Sequence, residues 1–171
     1  MCGCETWATT KYLRSHLDAF DMLALCESLR IPYTRQLSNT EIRGTTGCSP
    51  LSHLVINRHL RLFGHIACSS TREDHYRAPA ACIRQVLPDW KWPAGTPSHT
   101  WLRAIETDLG PLHFSLATAW RKATMQDEWR HIVDAATLQW SMLWKKEDAV
   151  DSMVCVVARC LTHTSILGWH R

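Results

Sequence analysis

The sequence predicts an all-α fold, with five to seven short helices in a loose single domain of 171 residues. Apolar residues recur at intervals of three and four, which is the spacing of one helix face. Ser, Thr, Pro and Gly stand where such segments begin and end. Strand patterns are weak except at 153–157. Hydrophobic residues at 46% and charged residues at 20% are typical of a globular chain and argue against disorder.

The first two predicted helices are marked by their ends. Helix one follows the Thr9-Thr10 pair, which can cap it, and ends before Pro32, because proline disfavours a helical residue before it. Helix two is short, since Ser38 and Glu41 have capping-box spacing and Gly47 is placed to terminate it. The apolar face of helix one is formed by Leu13, Leu17, Phe20 and Ala24.

Helices three and four precede a loop. Helix three opens at Pro50, and helix four lies within 75–86, where Pro79 disturbs it. Residues 88–99 hold three Pro, one Gly and two Trp. We expect this Pro/Trp-rich loop to divide the chain into two helical halves. The apolar stripe of helix three consists of Leu51, Leu54, Val55, Leu62 and Ile66.

Three helices are predicted after the loop. The fifth stops at Gly110-Pro111, Ser115 can cap the sixth, and Asp127 lies in the first turn of the seventh. Their apolar faces are Leu102, Ile105 and Leu109, then Leu116, Trp120 and Ala123, then Trp129, Ile132, Val133 and Ala136. Trp residues in these helices can each bury a large apolar area.

Charge is segregated along the chain. The net charge is only +3, but residues 30–103 carry ten Lys/Arg against four Asp/Glu. Arg58, Arg61 and His65 follow one side of helix three, and such a row can neutralise phosphates. The remaining candidates for nucleic-acid binding in this basic middle are Arg77, Arg84, Trp90, Lys91, Trp92 and Arg103. The alternative is a solvated helix face and a loop whose Trp rings fill the core.

Metal and catalytic sites are not favoured. Cys48, His53, His65 and Cys68 could supply zinc ligands, but His53 and His65 are about 18 Å apart on one helix, at about 1.5 Å per residue. Asp89 and Lys91 lack the strands that a metal-dependent nuclease site needs. We therefore expect no cofactor.

Several classes of protein are excluded by simple patterns. No apolar run approaches the length of a membrane span, and we recognise no signal peptide. The eight Cys are thus expected to be reduced thiols in an intracellular protein, nuclear or cytoplasmic and not secreted.

An ordered series of motifs occupies residues 3–7, 17–21, 29–35, 38–43, 46–53, 60–65, 100–109, 116–120 and 129–138. This series resembles one known family, the non-LTR (LINE-type) retrotransposon reverse transcriptases. The likeness is to the C-terminal tail of their polyprotein, downstream of the polymerase. It covers residues 1–140, whereas 141–171 form an unmatched extension.

The resemblance implies an accessory nucleic-acid-binding tail. Its partners would be template RNA, target DNA and the reverse transcriptase core, with no membrane contact. It implies no enzyme activity, because the polymerase and endonuclease sites of that family lie upstream. Without that core, the resemblance implies partly exposed Trp side chains and marginal stability.

The alternative is an inert, decayed fragment, or a small structural or interaction module. The family usually has basic residues at three places where this chain has Glu27-Ser28, Cys68 and Gly95-Thr96-Pro97.

Overall fold

A computed structural model describes residues 3–32, 34–35, 37–84, 95 and 99–150. Helices dominate these residues, no strand occurs among them, and the predicted all-α fold is confirmed. The described residues form seven α-helices, α1 (Lys11–Ser28), α2 (Asn39–Thr46), α3 (Leu51–Ala67), α4 (Asp74–Ile83), α5 (Trp101–Leu109), α6 (Leu116–Ala123) and α7 (Gln126–Val150). Two short 3₁₀ helices occupy Cys4–Thr6 and Gly110–Leu112. The strand-like segment 153–157 lies outside the described residues.

Several of the predicted helix signals act where the sequence placed them, and Pro79 does not. Ser115 Oγ accepts a hydrogen bond from the Thr118 N–H and caps α6. Pro79 lies inside α4 without ending it. After α5, the chain continues as the 3₁₀ helix that contains Pro111.

The contacts of the chain divide it into two compact units. The larger unit contains the described parts of residues 1–10 and 53–140, and the smaller unit those of 11–52 and 141–171. The loop at 88–99 was expected to separate two helical halves, and that expectation is wrong. Ala80 of α4 and Ile105 of α5, on either side of the loop, belong to one hydrophobic core.

The core of the larger unit is built around Phe63. Its ring packs edge-on against Trp120, with centroids 5.4 Å apart, and lies 5.6 Å from Trp129. Trp120 and Trp129 are each 5% exposed, so the expectation of partly exposed Trp side chains is wrong for both. Trp101 is partly buried against the same core. Aromatic pairs in such offset and edge geometries add to the free energy gained by burying the rings.

The predicted face of α1 is wrong in its rotation, and that of α3 is wrong at one residue. In α1, Leu13 and Phe20 are exposed, whereas the buried residues are Arg14, Asp18, Met22 and Cys26. In α3, the predicted Val55 is fully buried, but Leu54 is exposed and the fully buried Leu60 was not predicted. The faces predicted for α5, α6 and α7 are confirmed, since at least two of the predicted apolar residues of each are buried.

Polar partners explain why α1 buries charged side chains. Asp18 Oδ1 accepts a 2.8 Å hydrogen bond from the Ser52 N–H in the first turn of α3. Asp21 Oδ2 lies 2.8 Å from the guanidinium of Arg43, which is 8% exposed. Buried polar groups are costly unless they are bonded, so these contacts fix which face of α1 points inward. The apolar part of this smaller core comprises Met22, Cys26 and Ile42.

The capping box at the start of α2 forms as predicted. The Ser38 side chain accepts from the Glu41 N–H, and the Ser38 N–H donates to Glu41 Oε2 at 2.8 Å. Hydrogen bonds from the Ser38 backbone and hydroxyl, helped by the charge of Arg35, hold the pKa of Glu41 below its ordinary value of 4.5. Gly47 ends the helix in the left-handed conformation, φ 67°.

The lowered Glu41 pKa predicts a pH-dependent contribution to stability. Because the folded-state pKa lies below the unfolded one, the ionised cap stabilises the fold above about pH 4.5, and this stabilisation is lost as the pH falls further. Glu41→Gln keeps a side chain suited to the box but cannot titrate. Urea unfolding from pH 6 to pH 3 should therefore show wild type losing stability relative to the variant. Parallel pH profiles would contradict the prediction.

Candidate nucleic-acid interface

Helices α3 and α7 are in close contact at Gly64. The indole Nε1–H of Trp129 donates a 2.9 Å hydrogen bond to the Leu60 carbonyl. A Cβ atom on Gly64 would overlap the Trp129 ring, so the contact requires glycine at this position. The motif at 60–65 therefore has a structural reason for its glycine, Gly64.

A groove of about 390 Å³ lies beside this contact, open to solvent, between α3 and α7. It is lined by two arginines, Arg61 on α3 and Arg130 on α7, and by the imidazole of His65 on α3, all exposed. The buried Gly64 and Trp129 also line it, at the close contact of the two helices. The other lining residues are Cys68, Ala123, Gln126, Val133 and Asp134.

The row predicted on helix three is divided. Arg61 and His65 are one turn apart at the groove, whereas Arg58 does not line it. Arg58 instead contacts the N-terminal 3₁₀ helix, where its Nη1 donates to Cys4 Sγ at 3.7 Å and lies 3.9 Å from Glu5 Oε2. Arg58 therefore interacts with the N-terminal segment and is not one of the groove residues.

Of the other predicted residues that the structure describes, none lines the groove. Arg77 pairs with Asp74 at 3.4 Å, and Arg84 Nη2 donates to Tyr76 Oη at 3.4 Å. Arg103 is exposed in the first turn of α5 and does not line the groove. Trp90, Lys91 and Trp92 lie outside the described residues.

Sequence reasoning missed the α7 side of the groove. Gln126, Arg130 and Asp134 are each one helical turn apart, and all three are exposed. The periodicity that places Trp129 and Val133 in the core also places these polar residues beside the core face. The candidates were chosen from the basic middle of the chain. Arg130 was not among them, because residues 104–171 carry no net positive charge.

Acidic side chains partly offset the cations. Asp134 lines the groove, and Arg130 Nη1 lies 3.6 Å from Asp127 Oδ1. Both members of that pair are mostly exposed, at 75% and 95%, and exposed pairs contribute about 0–1 kcal/mol. An incoming phosphate can therefore compete for Arg130.

A second polar cluster is buried in the larger unit and also escaped sequence reasoning. His59 Nδ1 lies 2.8 Å from Asp108 Oδ2, and His59 Nε2 lies 3.1 Å from the Cys4 carbonyl. Both side chains are fully buried. Since both ring nitrogens face oxygen acceptors and no solvent reaches them, this pair joins α3, α5 and the N-terminus and is not placed to meet a substrate.

The described residues contain no cluster of three or more His, Cys, Asp or Glu placed to hold a metal ion. Among the described helices, none combines the length and apolar character that a membrane span requires. No protein-family model matches the chain, and neither curated proteins nor solved structures include a match.

The close packing at Gly64 predicts that substitution by alanine affects stability differently at Gly64 and at Gly44. Gly64→Ala should lower the free energy of unfolding by about 1–3 kcal/mol, because a methyl group forces Trp129 away. Gly44→Ala in α2, where no atom lies within 4 Å of the added Cβ, should leave stability unchanged or raise it by about 0.5–1 kcal/mol. Urea unfolding followed by circular dichroism measures both. Equal effects would contradict the close approach.

Proposed function

We propose that this chain is the accessory nucleic-acid-binding tail of a non-LTR retrotransposon reverse transcriptase polyprotein, without a polymerase or endonuclease site. It contacts the phosphate backbone of RNA or DNA through the α3–α7 groove. The observation that carries the proposal is the placement of Arg61 and His65 on one helix and Arg130 on the other, exposed around one groove. The ordered motifs of residues 3–138 support the family assignment.

The chemistry of the groove suits phosphate better than base edges. Guanidinium groups bind phosphate oxygens in a fork geometry, and two arginines on separate helices can contact successive phosphates. The buried Trp129 ring is 5% exposed and holds a hydrogen bond, so it is not free to stack on a base. Affinity in this proposal is therefore electrostatic and tolerant of sequence.

The partners follow from the same proposal. Template RNA and target DNA would be the nucleic acids, and the reverse transcriptase core would be the protein neighbour in a full-length family member. The compartment would be nuclear or cytoplasmic.

Salt dependence tests this proposal directly. Binding of single-stranded RNA should weaken as salt rises, and Arg61→Ala or Arg130→Ala should each reduce the slope of log K against log salt by about 0.7. Arg72→Ala is the matched control, because Arg72 is exposed but does not line the groove. Fluorescence anisotropy between about 50 and 300 mM salt measures the slopes of the wild type and the three variants.

The competing hypothesis, an inert fragment, makes the opposite prediction for that experiment. Undetectable binding, or a slope that none of the three substitutions changes, would favour the inert fragment and overturn the proposed function. Equal loss in all three variants would mean that the total positive charge of the chain, and not the groove, sets the affinity, and would overturn the proposed site.

Cys68 offers a gain-of-function test. The resembled family usually has Arg at this position, and here Cys68 is exposed at the groove, with its Sγ donating to the Ala123 carbonyl at 3.1 Å. Cys68→Arg should add one phosphate contact and steepen the salt slope by about 0.7. Cys82→Arg is the control, because Cys82 is exposed on α4, away from the groove. Equal gains in both variants would mean that total charge, and not the groove, sets the affinity.

A further inference from the structure

The α3–α7 groove carries a carboxylate beside its arginines. Asp134 lines the groove and is exposed on α7. It lies one helical turn after Arg130, about 6 Å further along the helix axis. Within the part of the chain that the structure describes, its carboxylate has no hydrogen-bond or ion-pair partner. A groove that binds phosphates through Arg61 and Arg130 therefore also presents a negative charge to any backbone that enters it.

The chemistry of this carboxylate separates the two kinds of nucleic-acid backbone. An ionised carboxylate accepts hydrogen bonds and donates none. The phosphates and deoxyriboses along a DNA strand offer acceptors only, so Asp134 repels them and gains no bond in return. RNA adds a 2′-hydroxyl on the ribose carbon next to the one that bears the 3′ phosphate. A donor thus lies beside each phosphate, and through this hydroxyl proteins distinguish RNA from DNA.

The bases are a less suitable partner for Asp134. Trp129, the aromatic residue that lines the groove, is 5% exposed and its indole N–H is already bonded, so it cannot hold a base by stacking. Gln126 also lines the groove from α7, but its amide can donate to the phosphates of either nucleic acid. Asp134 can bond only to a donor, and the ribose hydroxyl is the donor nearest to a bound phosphate.

We propose that Asp134 makes the groove selective for RNA over DNA, by accepting a hydrogen bond from a ribose 2′-hydroxyl while Arg61 and Arg130 hold the adjacent phosphates. This inference rests on the proposed function, because it assigns one nucleic acid to the same groove. The carboxylate repels every backbone, and only the RNA hydroxyl offsets that repulsion. Selectivity of this kind combines an attractive contact with a penalty for the competing ligand.

Three oligonucleotides of one sequence test the role of the hydroxyl: RNA, DNA, and 2′-O-methyl RNA, which keeps the 2′ oxygen but lacks its proton. Fluorescence anisotropy with the full chain at about 100 mM salt measures the three affinities. RNA should bind about threefold to tenfold more tightly than each of the other two, which is the range expected for one net hydrogen bond. Equal affinity for RNA and 2′-O-methyl RNA overturns the inference.

Carboxylate removal tests the role of Asp134. Asp134→Ala should bring the ratio of the RNA and 2′-O-methyl RNA affinities close to one, and should strengthen DNA binding because repulsion is lost. Glu106→Ala is the matched control, since Glu106 is exposed on α5 and does not line the groove. It removes the same charge and should leave the ratio unchanged. Circular dichroism checks that both variants keep their helices. A ratio that Asp134→Ala does not change, or that both variants lower equally, overturns the inference.

The outcomes also distinguish this inference from the proposed function on which it rests. Salt-dependent binding with equal affinity for the three oligonucleotides would overturn the role of Asp134 and leave the proposed function standing. Undetectable or salt-independent binding of all three would overturn the proposed function, and the inference with it.

Discussion

The contact between Gly64 and Trp129 is the constraint on which the groove depends. Because Gly64 has no side chain, the indole ring reaches the Leu60 carbonyl, and the ring also packs on Phe63. The two sides of the groove are carried by the same two helices, so the separation between Arg61 and Arg130 is set by this contact. A larger residue at Gly64 would change the groove as well as the core.

Hydrogen bonds of buried polar groups determine which helix faces and segments pack together within each unit. In the smaller unit, Asp18 holds the first turn of α3, and its hydrogen bond decides which face of α1 is inward. In the larger unit, His59 bridges Asp108 and the Cys4 carbonyl, and Trp140 Nε1 donates to the Asp108 carbonyl at 3.0 Å. Such groups are costly to bury without partners, so each one restricts the alternatives open to its unit.

Helix ends were more predictable than helix faces. Ser38, Gly47 and Ser115 act through atoms within a few residues of themselves, so the local sequence suffices to place them. The inward face of α1 depends on partners distant in sequence, such as Ser52, and apolar spacing alone assigned Phe20 to the wrong side. For the same reason, only one side of the groove was predicted. Arg61 and His65 lie one turn apart on α3, so the sequence places them together, whereas Arg130 is brought near them only by the packing of α7 on α3.

By itself, the sequence determined the all-α class, several helix ends and the basic middle, because these follow from local propensity, capping and charge. It also carries the motifs that resemble the retrotransposon tail. Only the tertiary structure decided which cations share a groove, that α4 and α5 share one core across the loop, and that the apolar stripe of α1 is exposed. Those outcomes depend on contacts between distant residues, above all on the room that Gly64 leaves for Trp129.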